Sequence, residues 1–274
     1  MTARLALVTG CSSGFGLGIA QALRERGWRV MAGVRNPQRA GAELDGCEVV
    51  PLDVADTAQI GSVAARIDRL DCLVNNAGYA LTGPLSTYDL KQMRMQLEVN
   101  VLGPAILIQN LLPALSRARG RVINVGSLAG EVGLPLNSMY CASKASLHAL
   151  TDALRRELAD HGIQVAAVVP GGHRTRFMPN MVWGSRVPDA GSIEMHQLEA
   201  YRAWQQRLAG QRGQAADRVV QAVVRLTELS RMPSRVYVGR DARLARALLH
   251  LLPASWAEAL LSAAVRRQMR MGEQ

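Results

Sequence analysis

The sequence predicts an α/β fold, a single domain built on a doubly wound parallel sheet. Three observations predict it. The chain opens on a short apolar run that leads into a glycine-rich turn and then a helical pattern. Apolar runs and helical stretches alternate from there on, the pattern of a parallel sheet with crossover helices. With 274 residues and 49% hydrophobic content, the chain can bury one large core.

Composition limits the function classes. Lys plus Arg number 32 against 22 for Asp plus Glu, a net charge of +10, so phosphates, nucleic acids and anionic lipids are the partners to weigh. The charge is dispersed arginine and aromatics are only 4%, which leaves little for bases to stack on, so no nucleic acid is expected. Cys11, Cys47, Cys72 and Cys141 follow no Cys-x-x-Cys spacing, and the reading is a reduced, cytoplasmic protein. The five histidines form no ligand cluster, so no metal is expected. With the first strand read at Arg4 to Thr9, no signal segment is expected, and no membrane span is expected either, because the apolar stretches at Val101 to Leu115 and Ala247 to Val265 are broken by polar residues or proline.

The first strand is Arg4 to Thr9, and the turn Gly10-Cys-Ser-Ser-Gly14-Phe-Gly16 follows, with a helix opening at Phe15. Glycines there let the backbone approach a pyrophosphate, and the helix N-terminus offers free N–H groups. Arg29 to Val34 is the second strand and ends in Arg35, where an NAD site would carry an acid to hold the ribose hydroxyls. A base there favours a 2′-phosphate, with Ser12 and Ser13 as hydroxyl donors, so NADP(H) is preferred over NAD(H). The bland alternative is that Arg35 starts a solvated loop. Cys47 to Leu52 ends in Asp53, either a contact to the adenine or a surface carboxylate. A helix from Ala55 to Leu70, a strand from Asp71 to Val74 and the turn Asn75-Asn-Ala-Gly78 come next.

Thr87 to Arg117 has helical periodicity, with Asn100 in its middle. An asparagine there suits bending the helix, fixing a water near a site, or a local backbone bond. The strand Val122 to Val125 delivers Ser127, and the helix Ser138 to His161 carries Tyr140 and Lys144 one turn apart. A phenol is a poor acid–base catalyst at neutral pH unless an adjacent ammonium stabilises its phenolate, and Ser127 is placed to hold a carbonyl oxygen beside it. Alone, Tyr-x-x-x-Lys reads as an ordinary helix surface; the N-terminal glycine turn is what gives it weight. Ile163 to Val169 is the sixth strand, ending at Pro170-Gly171, and a helix from Gln214 to Leu229 and an edge strand from Arg235 to Val238 complete the sheet.

Taken together, Thr9-Gly-x-x-x-Gly-x-Gly16, Asn75-Asn-Ala-Gly78, Asn100, Ser127, Tyr140-x-x-x-Lys144 and Pro170-Gly-x-x-x-Thr175 resemble the classical short-chain dehydrogenase/reductases. TGCSSGFG, GVRNP and GLPLNSMYCASK are similar to the branch that contains 17β-hydroxysteroid and retinol dehydrogenases. The resemblance implies a Rossmann-type sheet with a substrate lid over about 173–213 and a helical extension over about 240–270. It implies a tetrad of Asn100, Ser127, Tyr140 and Lys144. Tyr140 exchanges the proton, Ser127 polarises the oxygen, Lys144 holds the nicotinamide ribose and lowers the Tyr140 pKa, and Asn100 anchors a relay water. NADP(H) would lie against Gly10, Ser12, Ser13, Gly14, Phe15, Gly16, Arg35, Asp53, Val54, Asn76, Ala77, Gly78, Pro170, Gly171 and Thr175. Substrate would meet Leu81, Leu134, Met139 and His173 besides Ser127 and Tyr140, although Gly172-His173-Arg174 departs from the family pattern and a lone loop His is commonly just solvated. The family pairs its subunits through the helices carrying Asn100 and Tyr140, so a homodimer or homotetramer is expected.

Met178, Met181, Trp183, Met195 and Trp204, with Leu81, Leu134 and Met139, read either as an apolar pocket or as core. In the tail, Ser255-x-x-Glu258 reads as a capping box, and Trp256, Leu260, Leu261 and Ala264 share one face. That face suits a membrane surface or, as the small Ala residues favour, packing against the body or a sister subunit. The functional expectation is an NADP(H)-dependent oxidoreductase interconverting a carbonyl and an alcohol on a hydrophobic substrate; the alternative is a non-catalytic NADP(H)-binding sensor or scaffold.

Overall fold

A computed structural model describes residues 3–39, 41–172, 181–210 and 216–270. The elements are β1 (Leu5–Thr9), α1 (Gly14–Glu25), β2 (Arg29–Val34), β3 (Glu48–Pro51), α2 (Thr57–Ala64), β4 (Cys72–Asn75), β5 (Leu81–Thr82), α3 (Leu90–Leu97), α4 (Gly103–Ala118), β6 (Arg121–Val125), α5 (Ser138–Glu157), β7 (Gln164–Pro170), β8 (Val182–Trp183), α6 (Ile193–Gly210), α7 (Asp217–Glu228), β9 (Arg235–Val238), α8 (Arg240–Leu251) and α9 (Ala254–Arg270). Seven strands form one parallel sheet in the order β3-β2-β1-β4-β6-β7-β9. The order reverses between β1 and β4, which opens a crevice at their carboxyl ends.

The strands read as near-continuous apolar runs because both faces of the sheet are covered. Alternation then divides each strand between two cores. Ala6 and Val8 of β1 face α1 and α7, where Ile19, Leu23, Val219 and Val223 are buried, whereas Leu7 joins Ile60, Leu107, Leu111 and Leu115 on the α2 and α4 side. Between β2 and β3 the described chain makes only short 3₁₀ turns, Pro37–Arg39 and Ala42–Leu44, so this crossover is compact.

The structure corrects four boundaries or elements. The expected helix from Ala55 ends at Ala64; Asp56 caps it, accepting from the Ala58 and Gln59 N–H groups. Tighter turns then seat Ile67 and Leu70 in the core. The stretch 87–117 is two helices joined by a π turn at Glu98–Leu102. Part of the expected lid is a regular helix, α6, and β5 pairs with β8 in a second small parallel sheet. In the tail, α9 starts at Ala254, so Ser255 lies inside it and caps nothing, and the Glu258 carboxylate accepts from Ser262 instead. Ala257 docks α9 on the body, while Trp256 and Leu260 stay 66% and 50% exposed, so their face does not pack against this chain.

Candidate active site

The site is assembled at the carboxyl ends of the central strands. β1 ends at Thr9, whose hydroxyl accepts from the N–H groups of Asn76 (3.0 Å) and Ala77 (2.9 Å), tying the end of β4 to the glycine turn. The Asn76 amide donates to the carbonyls of Thr9 (2.9 Å) and Gly10 (3.3 Å). Close approach is what requires glycine here: a Cβ on Gly16 would lie 2.3 Å from the Gly10 oxygen. Gly10 and Gly14 adopt positive φ of 72° and 61°.

α1 begins at Gly14, and Ser13 at its N-cap position makes no side-chain cap. An uncapped helix N-terminus beside the serine hydroxyls suits a phosphate. Arg35 lies exposed just past β2 and forms no ion pair with the described residues, and no acid ends that strand. These groups fit a dinucleotide bearing a 2′-phosphate. Asp53, after β3, accepts from the Ala55 N–H at 3.0 Å, so one carboxylate oxygen closes a turn. Val54 packs against Gly103, where α4 begins.

The four expected catalytic residues converge. Asn100, 1% exposed, sits in the π turn; its Oδ1 accepts from the Tyr79 N–H (3.2 Å), and its Nδ2 donates to the Tyr79 carbonyl and the Ser143 hydroxyl (both 3.0 Å). Of the expected roles for this residue, helix distortion is the one seen directly. Asn100 Oδ1 and Lys144 Nζ both border Gly78, where a Cβ would lie 3.1 and 3.6 Å from them. Lys144 is buried and donates to the Val125 carbonyl at 2.9 Å. The Ser127 hydroxyl accepts from the Ala129 N–H at 3.1 Å and hydrogen-bonds the Tyr140 phenol.

Electrostatics differ from the expectation. Burial pushes the Tyr140 phenol up to about 12, with the Ser127 hydrogen bond pulling the other way, and burial lowers Lys144 to about 8. Lys144 Nζ stands 6.0 Å from the Tyr140 ring centroid and turns to a carbonyl, so it does not depress the phenol here. Burial thus favours the protonated phenol.

Leu134 and Met181 pack against Tyr140 with Ala80, Ala129 and Cys141, and Met139 is half-buried nearby. Leu81 is a correction: it is wholly buried in β5 with its N–H held by Gln96 at 2.6 Å, so it is core and not a pocket wall. Pro170 ends β7, and Gly171 admits the Asp241 carboxylate, which would lie 2.1 Å from a Cβ. Thr175 and His173 lie outside the described residues.

Sequence reading missed the polar chain that ties α6 to the body. Asn137, one residue before α5, does not cap it; its amide donates to the Tyr201 hydroxyl of α6 (3.0 Å) and accepts from Thr82 (3.1 Å). Tyr201 in turn packs against Trp183 and Trp204. An asparagine before a helix, with an aromatic on a later segment, is too common a pattern to signal this. His148 and Glu131, behind Ser127, were also missed, although His148 stands one helical turn beyond Lys144.

The chain is similar to known proteins in sequence and fold. The family model for short chain dehydrogenases matches residues 4–182. Human retinol dehydrogenase 16 is 38% identical over 201 residues, 66% of this chain and 63% of its own. Mouse 17-beta-hydroxysteroid dehydrogenase type 1 is 36% identical over 200 residues, 67% of this chain and 58% of its own. A short chain dehydrogenase from Burkholderia cenocepacia, crystallised with NADP, superposes with a TM-score of 0.73 at 30% identity, covering 90% of this chain and 92% of that one.

Proposed function

The chain belongs to the short-chain dehydrogenase/reductase family, and from that premise we propose that it interconverts a carbonyl and an alcohol on a hydrophobic, steroid-, retinoid- or ketone-like substrate, with Tyr140 as general acid/base. NADP(H) is its cofactor, in keeping with NADP-bound structural neighbours and with Arg35 at the end of β2. When bound, the dinucleotide supplies or accepts the hydride.

The single observation that carries the reading is the buried Tyr140 with the Ser127 hydroxyl bonded to its phenol and the buried Lys144 one helical turn along α5. In reduction, the phenol donates its proton to the carbonyl oxygen while the Ser127 hydroxyl holds that oxygen in place. Lys144 would hold the nicotinamide ribose, and Asn100, whose Oδ1 shares the Gly78 border with it, would anchor a water for proton return. Val54, Asn76, Ala77, Gly78, Pro170, Gly171 and Thr175 are assigned to the cofactor groove, and Leu134, Met139, Met181 and His173 to the substrate side. Four free cysteines support a reduced, cytoplasmic setting, and the family likeness supports pairing of subunits through α4 and α5.

The test is NADPH and NADH oxidation with a panel of steroid, retinoid and aryl carbonyl compounds, for the wild type and Arg35→Ala. The reading expects NADPH turnover in the wild type, and an NADPH preference that falls about 10-fold in the variant, the scale of one exposed charge-assisted contact. Equal use of NADH by the wild type would contradict the cofactor assignment, and NADPH binding without turnover of any compound would favour a sensor.

A further inference from the structure

We propose that His148 is a positioning residue for Ser127: its imidazole, braced by Glu131, fills the turn that carries the serine and fixes where the hydroxyl stands. The proposal rests on the assignment of Ser127 as the group that holds the carbonyl oxygen.

His148 lies on α5 one helical turn beyond Lys144 and is 2% exposed. Its ring is inserted between the two glycines that flank the serine turn. A Cβ on Gly126 would lie 2.2 Å from His148 Nε2, and one on Gly130 would lie 2.8 Å from Cε1. Side chains at either glycine would expel the imidazole; their absence lets it form the floor under Ser127.

The floor is anchored from the far side. His148 Nδ1 stands 3.1 Å from Glu131 Oε1, at the end of the same turn. The contact has the distance of an ion pair without the alignment of a hydrogen bond. Glu131 also receives Arg235 Nη1 (2.5 Å) and the Tyr237 hydroxyl (3.3 Å) from β9, and Arg235 Nη2 reaches Asp152 Oδ2 (2.6 Å) on α5. The His148 contact, with Arg235 adding to it, keeps the Glu131 carboxyl below its ordinary range despite burial.

Both ends of the turn are thus tied to α5, the helix that carries Tyr140 and Lys144. A leucine would fill the same space without burying polar nitrogens; neither imidazole nitrogen has an aligned hydrogen bond among the described residues, so the Glu131 contact at 3.1 Å is what offsets their burial. An imidazole coupled to a carboxylate instead gives the turn one defined position.

The experiment is a pair of double-mutant cycles. His148→Ala and Glu131→Gln are made in the wild type and in Ser127→Ala, and kcat, KM and the NADPH Kd are measured with a substrate from the carbonyl panel. Expected in the wild-type background is a kcat loss of roughly 10- to 100-fold for His148→Ala, the scale of a small misplacement of a reacting group, with the NADPH Kd unchanged. Glu131→Gln, which keeps the side-chain shape, loses a few-fold and carries the test if His148→Ala fails to fold. His148→Asn, which keeps a polar group facing the Glu131 carboxylate, recovers part of the loss. In Ser127→Ala neither change has any further effect. The same fold loss in both backgrounds, a raised NADPH Kd, or no loss at all would overturn the proposal. If the wild type turns over and Ser127→Ala alone does not slow it, the assignment of Ser127 fails, and the proposal falls with it.

Discussion

Two glycine turns at the carboxyl edge of the sheet use the same device for opposite ends. The turn after β1 is tight because Gly10 and Gly16 let backbone meet backbone, and it leaves the N-terminus of α1 uncapped for a ligand. The turn after β6 lacks side chains at Gly126 and Gly130, and the His148 ring lies against both, although at Gly130 the Lys144 backbone of α5 comes equally close. In one, small residues leave a helix N-terminus open at the proposed cofactor groove; in the other, they admit an imidazole behind the proposed substrate-holding Ser127. Glycine content alone does not distinguish them; what lies opposite the missing Cβ does.

This contrast can be broken at each turn. The larger effect is expected for Gly16→Ala. Its added methyl meets a backbone oxygen and the Asn76 amide (2.5 Å), neither of which can yield without opening the turn. Overpacking of this kind costs on the order of 2–3 kcal/mol, so NADPH affinity should fall about 100-fold in a fluorescence titration. Unchanged affinity would show that the turn does not form the cofactor groove. Gly126→Ala meets the tip of an imidazole, which can move, so kcat should fall by about 10-fold while the NADPH Kd stays as it was. A variant that loses cofactor binding instead would erase the distinction between the turns.

The smallest effect concerns the lysine that ties the second turn to α5. Lys144 donates to the Val125 carbonyl just before Gly126, and burial lowers its pKa from 10.5 to about 8. The unfolded chain therefore binds the extra proton between those values, so its penalty on the fold is complete below pH 8 and disappears as pH rises toward 10.5. Without cofactor, Lys144→Met should melt higher than the wild type at pH 7, with the gap closing across that window. A gap independent of pH would mean that the ammonium is not desolvated.

Much of the scaffold was legible because the sheet is buried on both faces. The Arg29–Val34 and Arg235–Val238 strands have the expected limits, since apolar β-branched runs bounded by polar residues have few other readings. That Asn100, Ser127, Tyr140 and Lys144 would lie near one another was legible too, as each has a fixed place relative to a strand end or a helix turn. Long-range events were not. β5 and β8 are two-residue strands that exist only because the lid returns to pair with them. α6 has weak amphipathic character after Pro188 and Gly191, so it reads as loop. The π turn at Asn100 arises from a side chain bonding to Tyr79 and Ser143, partners that only the fold brings together. The Tyr140 pKa went the other way from expectation because sequence spacing places an ammonium near a phenol but says nothing of how dry the pocket is.

The central claim is that Tyr140 delivers the proton from a pocket already built to hold NADPH. It is tested most directly by Tyr140→Phe, measuring NADPH binding by fluorescence and turnover by absorbance on the same sample. The account predicts an unchanged Kd and a kcat lowered by about 100-fold or more, the scale of removing a general acid. Turnover that survives the loss of the phenol hydroxyl, with NADPH bound as before, would contradict it.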